Sequence, residues 1–308
     1  MSAGRQSTQD HKGVVGVIGL GSMGGGMAAS LVRAGFDVVG YDVSAQSVDR
    51  LTAIGGRTAA SPAEAARGCD IVFSVVVNAA QTETILFGDE GCASTLRPGA
   101  VFISCATMSP DIARQLGARL EASGCHYLDA PISGGAARAA QGELTVLASG
   151  SAVAFDKARP ALNAVAAKLY ELGDAPGTGS AFKMINQLLA GVHIAAACEA
   201  MTFAAKQNLD LAKVYEVITA SAGNSWMFEN RMPHVLAGDY QPLSAVDIFV
   251  KDLGIIQDMA RSECYPVPLA AAALQMYLAA SGAGMGKQDD ASLARIYAQL
   301  SGATLPQG

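Results

Sequence analysis

The stretch VVGVIGLGSMGGGMAASL, which begins at Val14, constrains the fold more than any other. A β-branched run leads without a break into Gly19, Gly21 and Gly24, and residues 22–34 then read as a helix. In such a G-x-G-x-x-G ladder the first glycine permits a tight turn and the second lets a pyrophosphate approach the backbone. The third lets the helix pack against the strand. The helix N-terminus adds free N–H groups and a partial positive charge for the phosphate. A ladder alone also fits an ordinary glycine turn, so its context decides. The next β-branched run, 37–43, carries Asp42, 18 residues beyond Gly24. An acid there accepts hydrogen bonds from the adenosine ribose hydroxyls and repels a 2′-phosphate. Val43 and Ser44 supply no arginine to hold one. The expectation is an NAD site, with contacts from Gly19, Leu20, Gly21, Ser22, Met23, Gly24, Tyr41, Asp42, Val76 and Val77.

The wider pattern supports it. Short apolar runs at 14–20, 37–43, 71–77 and 101–106 alternate with helix-compatible segments such as 22–34 and 109–123. Strand–helix alternation with continuously apolar strands predicts a parallel sheet covered on both faces. Segments 126–133, 144–150 and 168–173 read as further strands at the sheet edge. After GDAPGTGS (173–180) the strand signals stop. Residues 181–208 read as one long helix without a proline, followed by helices at 210–222, 243–262 and 268–283. A last helix is capped by Asp289 or Asp290. The expected architecture is α/β: a Rossmann-type doubly wound sheet over 13–178 and an all-helical domain over 179–308, joined by a long interdomain helix. Residues 1–12 read as a disordered tail.

Composition narrows the class. The net charge of −6 and the lack of a basic stripe argue against a nucleic-acid partner. Six cysteines, scattered and without a CxxC, read as reduced thiols in the cytoplasm. Four histidines form no pair at ligand spacing, so no metal is expected. Two alanine-rich stretches are interrupted by His193 and Glu199 and by Gln275, short of the roughly 20 apolar residues of a membrane span.

Hydride transfer from an alcohol needs a base for the hydroxyl proton. Lys183, placed in the first turn of the long helix after GTGS, is the candidate, with Asn186 and Gln187 on the same helix face at i+3 and i+4. A free lysine has a pKa near 10.4, which desolvation and a cationic nicotinamide lower. Taken alone, a lysine at a helix start is ordinarily a solvated charge. Ser133, Gly134 and Gly135, closing the run DAPISGG, expose backbone N–H groups able to hold a carboxylate, although a plain glycine turn has the same composition. Thr107 could touch the nicotinamide ribose or simply cap a helix beside Pro110. Lys251 and Asp252, in FVKDLG, complete the candidates.

Together, VIGLGSMGGGMAASL, DAPISGGAARAAQGELTVLASG, GTGSAFKMINQLL and KDLGIIQDMA resemble, in order, four motifs of the β-hydroxyacid dehydrogenase family, over residues 13–300. The resemblance implies that Lys183 is the general acid/base with Asn186 beside it and that Ser133, Gly134 and Gly135 bind the substrate carboxylate. It further implies that Thr107 and Lys251 contact NAD, and that the chain forms a homodimer or homotetramer through the long helix. Three positions depart from the family's usual pattern. VVVNAAQT (75–82) replaces a Leu-Pro pair, Ala106-Thr107 a Ser-Thr pair, and Gln187 the second of two asparagines. With segments 221–240 and 281–292 these point to a branch that oxidises the C2 hydroxyl of a small sugar acid. The rivals are a tartronate semialdehyde reductase or 3-hydroxyisobutyrate dehydrogenase and, in another class, a non-catalytic NAD-binding sensor. The presence of Lys183, Asn186 and the Ser133–Gly135 loop argues against the sensor.

Overall fold

The computed structural model describes residues 12–307, so the tail expected over 1–12 lies, but for Lys12, outside the described residues. The chain divides into two compact units, one ending at Lys183 and the other starting at Met184.

The first unit alternates strand and helix: β1 (Val14–Ile18), α1 (Ser22–Arg33), β2 (Asp37–Tyr41), α2 (Ala45–Ala53), β3 (Arg57–Thr58), α3 (Pro62–Ala66), β4 (Ile71–Ser74), α4 (Ala79–Phe87), β5 (Val101–Ser104), α5 (Pro110–Glu121) and β6 (His126–Asp129). The six strands form one parallel sheet in the order β3-β2-β1-β4-β5-β6. This is the Rossmann order, with its reversal between β1 and β4. Side chains alternate between faces along each strand. Ile71, Phe73, Val101 and Ile103 join Val15, Val17, Met27 and Leu31 in one core. Val72 and Phe102 join Ile85, Leu116 and Tyr127 in the other.

Beyond β6 the expected edge extension is corrected. β7 (Ile132–Ser133), α6 (Gly135–Gln141), β8 (Leu144–Ala148), α7 (Ala152–Val165) and β9 (Ala166–Glu171) follow, and β7, β8 and β9 build a separate three-stranded sheet. β7 and β8 are antiparallel, β8 and β9 parallel. Pro131 has no N–H with which to continue the β6 ladder, and the chain leaves the main sheet there. Asp129 and Ser149 exchange two backbone bonds, of 3.0 and 2.8 Å, where the sheets meet.

Helix α8 (Thr178–Lys206) runs across the division between the units. It is long and apolar enough, by length and composition, to cross a membrane, which the reading of interrupted stretches did not anticipate. Its inward side, with Met184, Ile194, Cys198 and Met201, lies in the core of the second unit. That core is completed by α9 (Leu211–Thr219), α10 (Trp226–Ala237), α11 (Val246–Ser262), α12 (Pro268–Ala280) and α13 (Leu293–Ser301). Gly191 lets α11 approach α8, because a Cβ there would meet the Phe249 ring at 3.0 Å. The Phe249 and Tyr277 rings stack at 5.2 Å beside it. Among the described residues of this unit no strand forms; Ala245 and Asp289 make one isolated bridge.

Candidate functional site

The three glycines of the ladder meet three different constraints. Gly19 has φ +92°, and a Cβ there would lie 2.4 Å from the Val75 carbonyl oxygen. At Gly24 a Cβ would meet Gly19 O at 1.9 Å, so only glycine lets α1 sit against the turn. A Cβ at Gly21 would meet nothing within 4 Å: that position faces open space. Gly21 is also the residue before α1, and no side chain caps this helix end. The first N–H groups of a helix have no partner within it. An uncapped N-terminus under a glycine that leaves its approach open is a cradle for a phosphate, and these residues fit a dinucleotide.

The Asp42 carboxylate lies one residue past β2. It accepts the Leu20 N–H at 2.6 Å and the Ser44 N–H at 2.8 Å. The acid therefore braces the glycine turn as well as standing where a ribose would lie. Tyr41 ends β2 and its carbonyl accepts the Gly19 N–H at 2.8 Å. Val76 and Val77 follow β4, and Thr107 follows β5. All of these cluster at the carboxyl ends of β1, β2, β4 and β5, where ligands bind in open parallel sheets.

The second group of candidates meets at the smaller sheet. Ser133 ends β7, while Gly134 and Gly135 have φ of +139° and +79°, conformations that favour glycine. Lys183 is buried, 7% exposed, and its ammonium donates to the Ile132 carbonyl at 2.9 Å. The amine thus stands beside the Ser133–Gly135 loop, which lies 50 residues earlier in the chain. Because α8 begins at Thr178, Lys183 occupies its second turn and not the first.

Known proteins resemble this chain in sequence and in fold. Residues 14–173 match the family model described as the NAD binding domain of 6-phosphogluconate dehydrogenase. Residues 177–297 match the one described as NAD-binding of NADP-dependent 3-hydroxyisobutyrate dehydrogenase. L-threonate dehydrogenase of Cupriavidus necator is 55% identical over 92% of this chain and 95% of its own. The enzyme of the same name from Escherichia coli K12 is 49% identical over 95% and 96%. A solved structure of 3-hydroxyisobutyrate dehydrogenase from Salmonella typhimurium superposes with a TM-score of 0.88 at 51% identity, covering 92% of this chain and 99% of that one.

The chain belongs to the β-hydroxyacid dehydrogenase family. It is an NAD-dependent oxidoreductase whose substrate is a small hydroxy acid.

For this dehydrogenase the second unit adds a polar chain on α8 and α11. Asp252 is 1% exposed and is paired with Lys251. It accepts the Gln187 amide N–H at 2.5 Å, and Gln187 Oε1 accepts from Asn186 Nδ2 at 3.0 Å. A carboxylate only accepts, so Asp252 dictates the direction of every bond, and Asn186 presents Oδ1. Gln187, a departure from the family pattern, is what reaches the buried acid. Lys251 and Asp252 do not form the surface pair that their spacing alone suggests.

The polar residues between 224 and 230 serve local structure. Ser225 Oγ caps α10 by accepting the Phe228 N–H at 3.0 Å. Asn224 donates to Thr219 O at 3.1 Å and to Glu229 Oε1 at 2.5 Å, and Asn230 Oδ1 accepts from Arg231. The residue that sequence reasoning missed is Asp129. It is fully buried, and its carboxylate accepts from Gly177 and Ser180 at the start of α8. Burial pushes this carboxyl up from its ordinary range, and the Ser180 and Gly177 donors draw it back. An acid opening the run DAPISGG was the available signal.

Proposed function

We propose that the protein oxidises the C2 hydroxyl of L-threonate to 2-oxo-tetronate, with Lys183 as general base. The observation that carries this reading is the buried Lys183 amine hydrogen-bonded at Ile132, beside the Ser133–Gly135 loop. The substrate follows from relatives named L-threonate dehydrogenase at 48–55% identity along nearly the whole chain.

In this reading Ser133 and the N–H groups of Gly134 and Gly135 hold the carboxylate, which sets the neighbouring C2 hydroxyl toward Lys183. The neutral amine takes the hydroxyl proton as the C2–H bond breaks. Asn186 Oδ1 accepts a hydrogen bond from the substrate hydroxyl or from the lysine ammonium. Bound NAD supplies the hydride acceptor. The ladder residues 19–24, with Tyr41, Asp42, Val76, Val77, Thr107 and Lys251, hold that cofactor. Residues 13–178 serve as the NAD-binding domain and 179–308 as the helical domain for substrate and assembly. Assembly as a homodimer or homotetramer is supported by Ile185, Leu189 and Phe203, apolar side chains of α8 at least half exposed. A cytoplasmic setting is supported by the thiols: all six are free and five are buried. Burial pushes Cys69 up to about 11 and Cys92 and Cys105 to about 12, which keeps them protonated and unreactive.

The test is NADH formation with L-threonate, D-threonate, D-glycerate and 3-hydroxyisobutyrate, on wild type and Lys183→Ala. L-threonate is expected to have the highest kcat/KM. Lys183→Ala is expected to lose about 10³-fold in turnover, within the range of a general base, with NADH affinity retained. Preference for 3-hydroxyisobutyrate would overturn the substrate, and an active Lys183→Ala would overturn the base.

A further inference from the structure

The end of the helix that carries Lys183 is held by residues outside it. α8 begins at Thr178, so its first N–H groups need partners from elsewhere. The Gly177 and Ser180 N–H groups donate to Asp129 Oδ2 at 2.9 and 2.8 Å, and the Ser180 hydroxyl donates to Oδ1 at 2.7 Å. The Gly179 N–H donates to Ser149 Oγ at 2.9 Å. Asp129 and Ser149 are joined by their own pair of backbone bonds, so both caps belong to one piece of sheet. Gly179 seats the helix directly on it: a Cβ there would lie 2.4 Å from Leu147 O and 2.6 Å from Asp129 O.

The bonds from Gly177 and Ser180 to the Asp129 carboxylate all come from donors, the pattern of an ionised carboxylate. An anion at a helix N-terminus is also favoured by the helix dipole. Lys183 is one turn beyond Ser180, and its amine rests on the carbonyl of Ile132, three residues beyond Asp129. The segment 129–132 thus fixes the lysine twice, through its helix and through its nitrogen.

We propose that Asp129, supported by Ser149, is a positioning residue for the reaction: it sets the height and rotation of the helix end, and so the distance from the Lys183 amine to the hydroxyl of a substrate held at Ser133–Gly135. This rests on the reading of Lys183 as the base. Turnover is sensitive to such placement, since an error of about 1 Å can cost about 10²-fold. A cap that served stability alone would lower the melting temperature and leave the turnover of the folded enzyme intact.

The experiment uses Asp129→Asn, whose amide NH2 must face one of the present donors. Its kcat with L-threonate is expected to fall about 100-fold. The KM for L-threonate and the Kd for NADH should stay within about threefold of wild type, the mark of an interaction needed only in the transition state. The solvent deuterium isotope effect on kcat should rise, because transfer to a displaced amine becomes rate-limiting. Ser180→Ala, which removes one bond and leaves the backbone in place, should show the same split with a fall of about tenfold; it decides the matter if Asp129→Asn does not fold. Normal kcat in the folded variant, or a parallel loss of NADH affinity, overturns the proposal. Lys183→Ala separates the two levels. If it is inactive while Asp129→Asn is normal, only the positioning role falls; if it is active, the base and the positioning role fall together.

Discussion

In the first unit the polar groups of the candidate site are mostly backbone N–H groups at glycine turns, whereas in the second the notable polar groups are buried side chains with partners of opposite charge or donors. The turn between β1 and α1 offers N–H groups under Gly21, and the loop at 133–135 offers those of two glycines in positive-φ conformations. Such groups need no bulky side chain and are held in place by the sheet. In the second unit Arg231 Nε donates to Asp290 Oδ1 at 2.6 Å, and Asp290 is fully buried. Asp289, equally buried, accepts the Leu243 and Ala291 N–H groups at 2.9 and 3.0 Å. These bonds tie α10 and the loop before α11 to the turn that precedes α13. The contrast is between backbone donors at glycine turns and polar side chains closed within a core, and substitutions test it from both sides.

The largest expected effect is at the buried pair. Arg231→Met leaves Asp290 without its cation and should lower stability by about 3–5 kcal/mol. Urea denaturation would measure it, and NADH affinity of the folded fraction should be unchanged. A loss below about 1 kcal/mol, the scale of exposed pairs, would remove this half of the contrast. Next comes Asp42→Ala, for which the ratio of kcat/KM for NAD to that for NADP should fall about tenfold, equivalent to about 1.4 kcal/mol. NAD affinity should also fall, since Leu20 N–H loses its acceptor; an unchanged ratio would mean that the acid only braces the turn. The smallest effect separates two kinds of glycine. Gly254 lies inside α11 with nothing within 4 Å of a Cβ, unlike Gly24, so Gly254→Ala should stabilise by about 0.5–1 kcal/mol. A destabilised Gly254→Ala, read from its melting temperature, would show that this glycine too is required by its surroundings.

Local patterns were legible because local physics sets them. Alternating apolar runs predict β1, β2, β4, β5 and β6, and the ladder and Asp42 mark the phosphate turn and the strand end beside it. Helix α10 was not anticipated: Pro233 lies inside it, and a proline reads as a helix breaker until Ser225 is seen to cap the N-terminus. The start of α8 was misplaced by three residues, since Thr178, Gly179 and Ser180 are poor helix formers, and the last two are held by Ser149 and Asp129.

Local sequence was enough for the parallel strand–helix alternation of the first half, the helical second half and the glycine turn that fits a dinucleotide. Each of these rests on periodicity, on glycine's conformational freedom or on residues within about one supersecondary unit of each other. Long-range packing accounts for the rest: β7, β8 and β9 leave the main sheet, Lys183 is buried against Ile132, Asp129 caps a helix beginning 49 residues later, and Gln187 reaches Asp252 65 residues away. Buried polar groups take whichever partner the completed fold brings within hydrogen-bond distance, and a one-dimensional pattern carries no record of that choice.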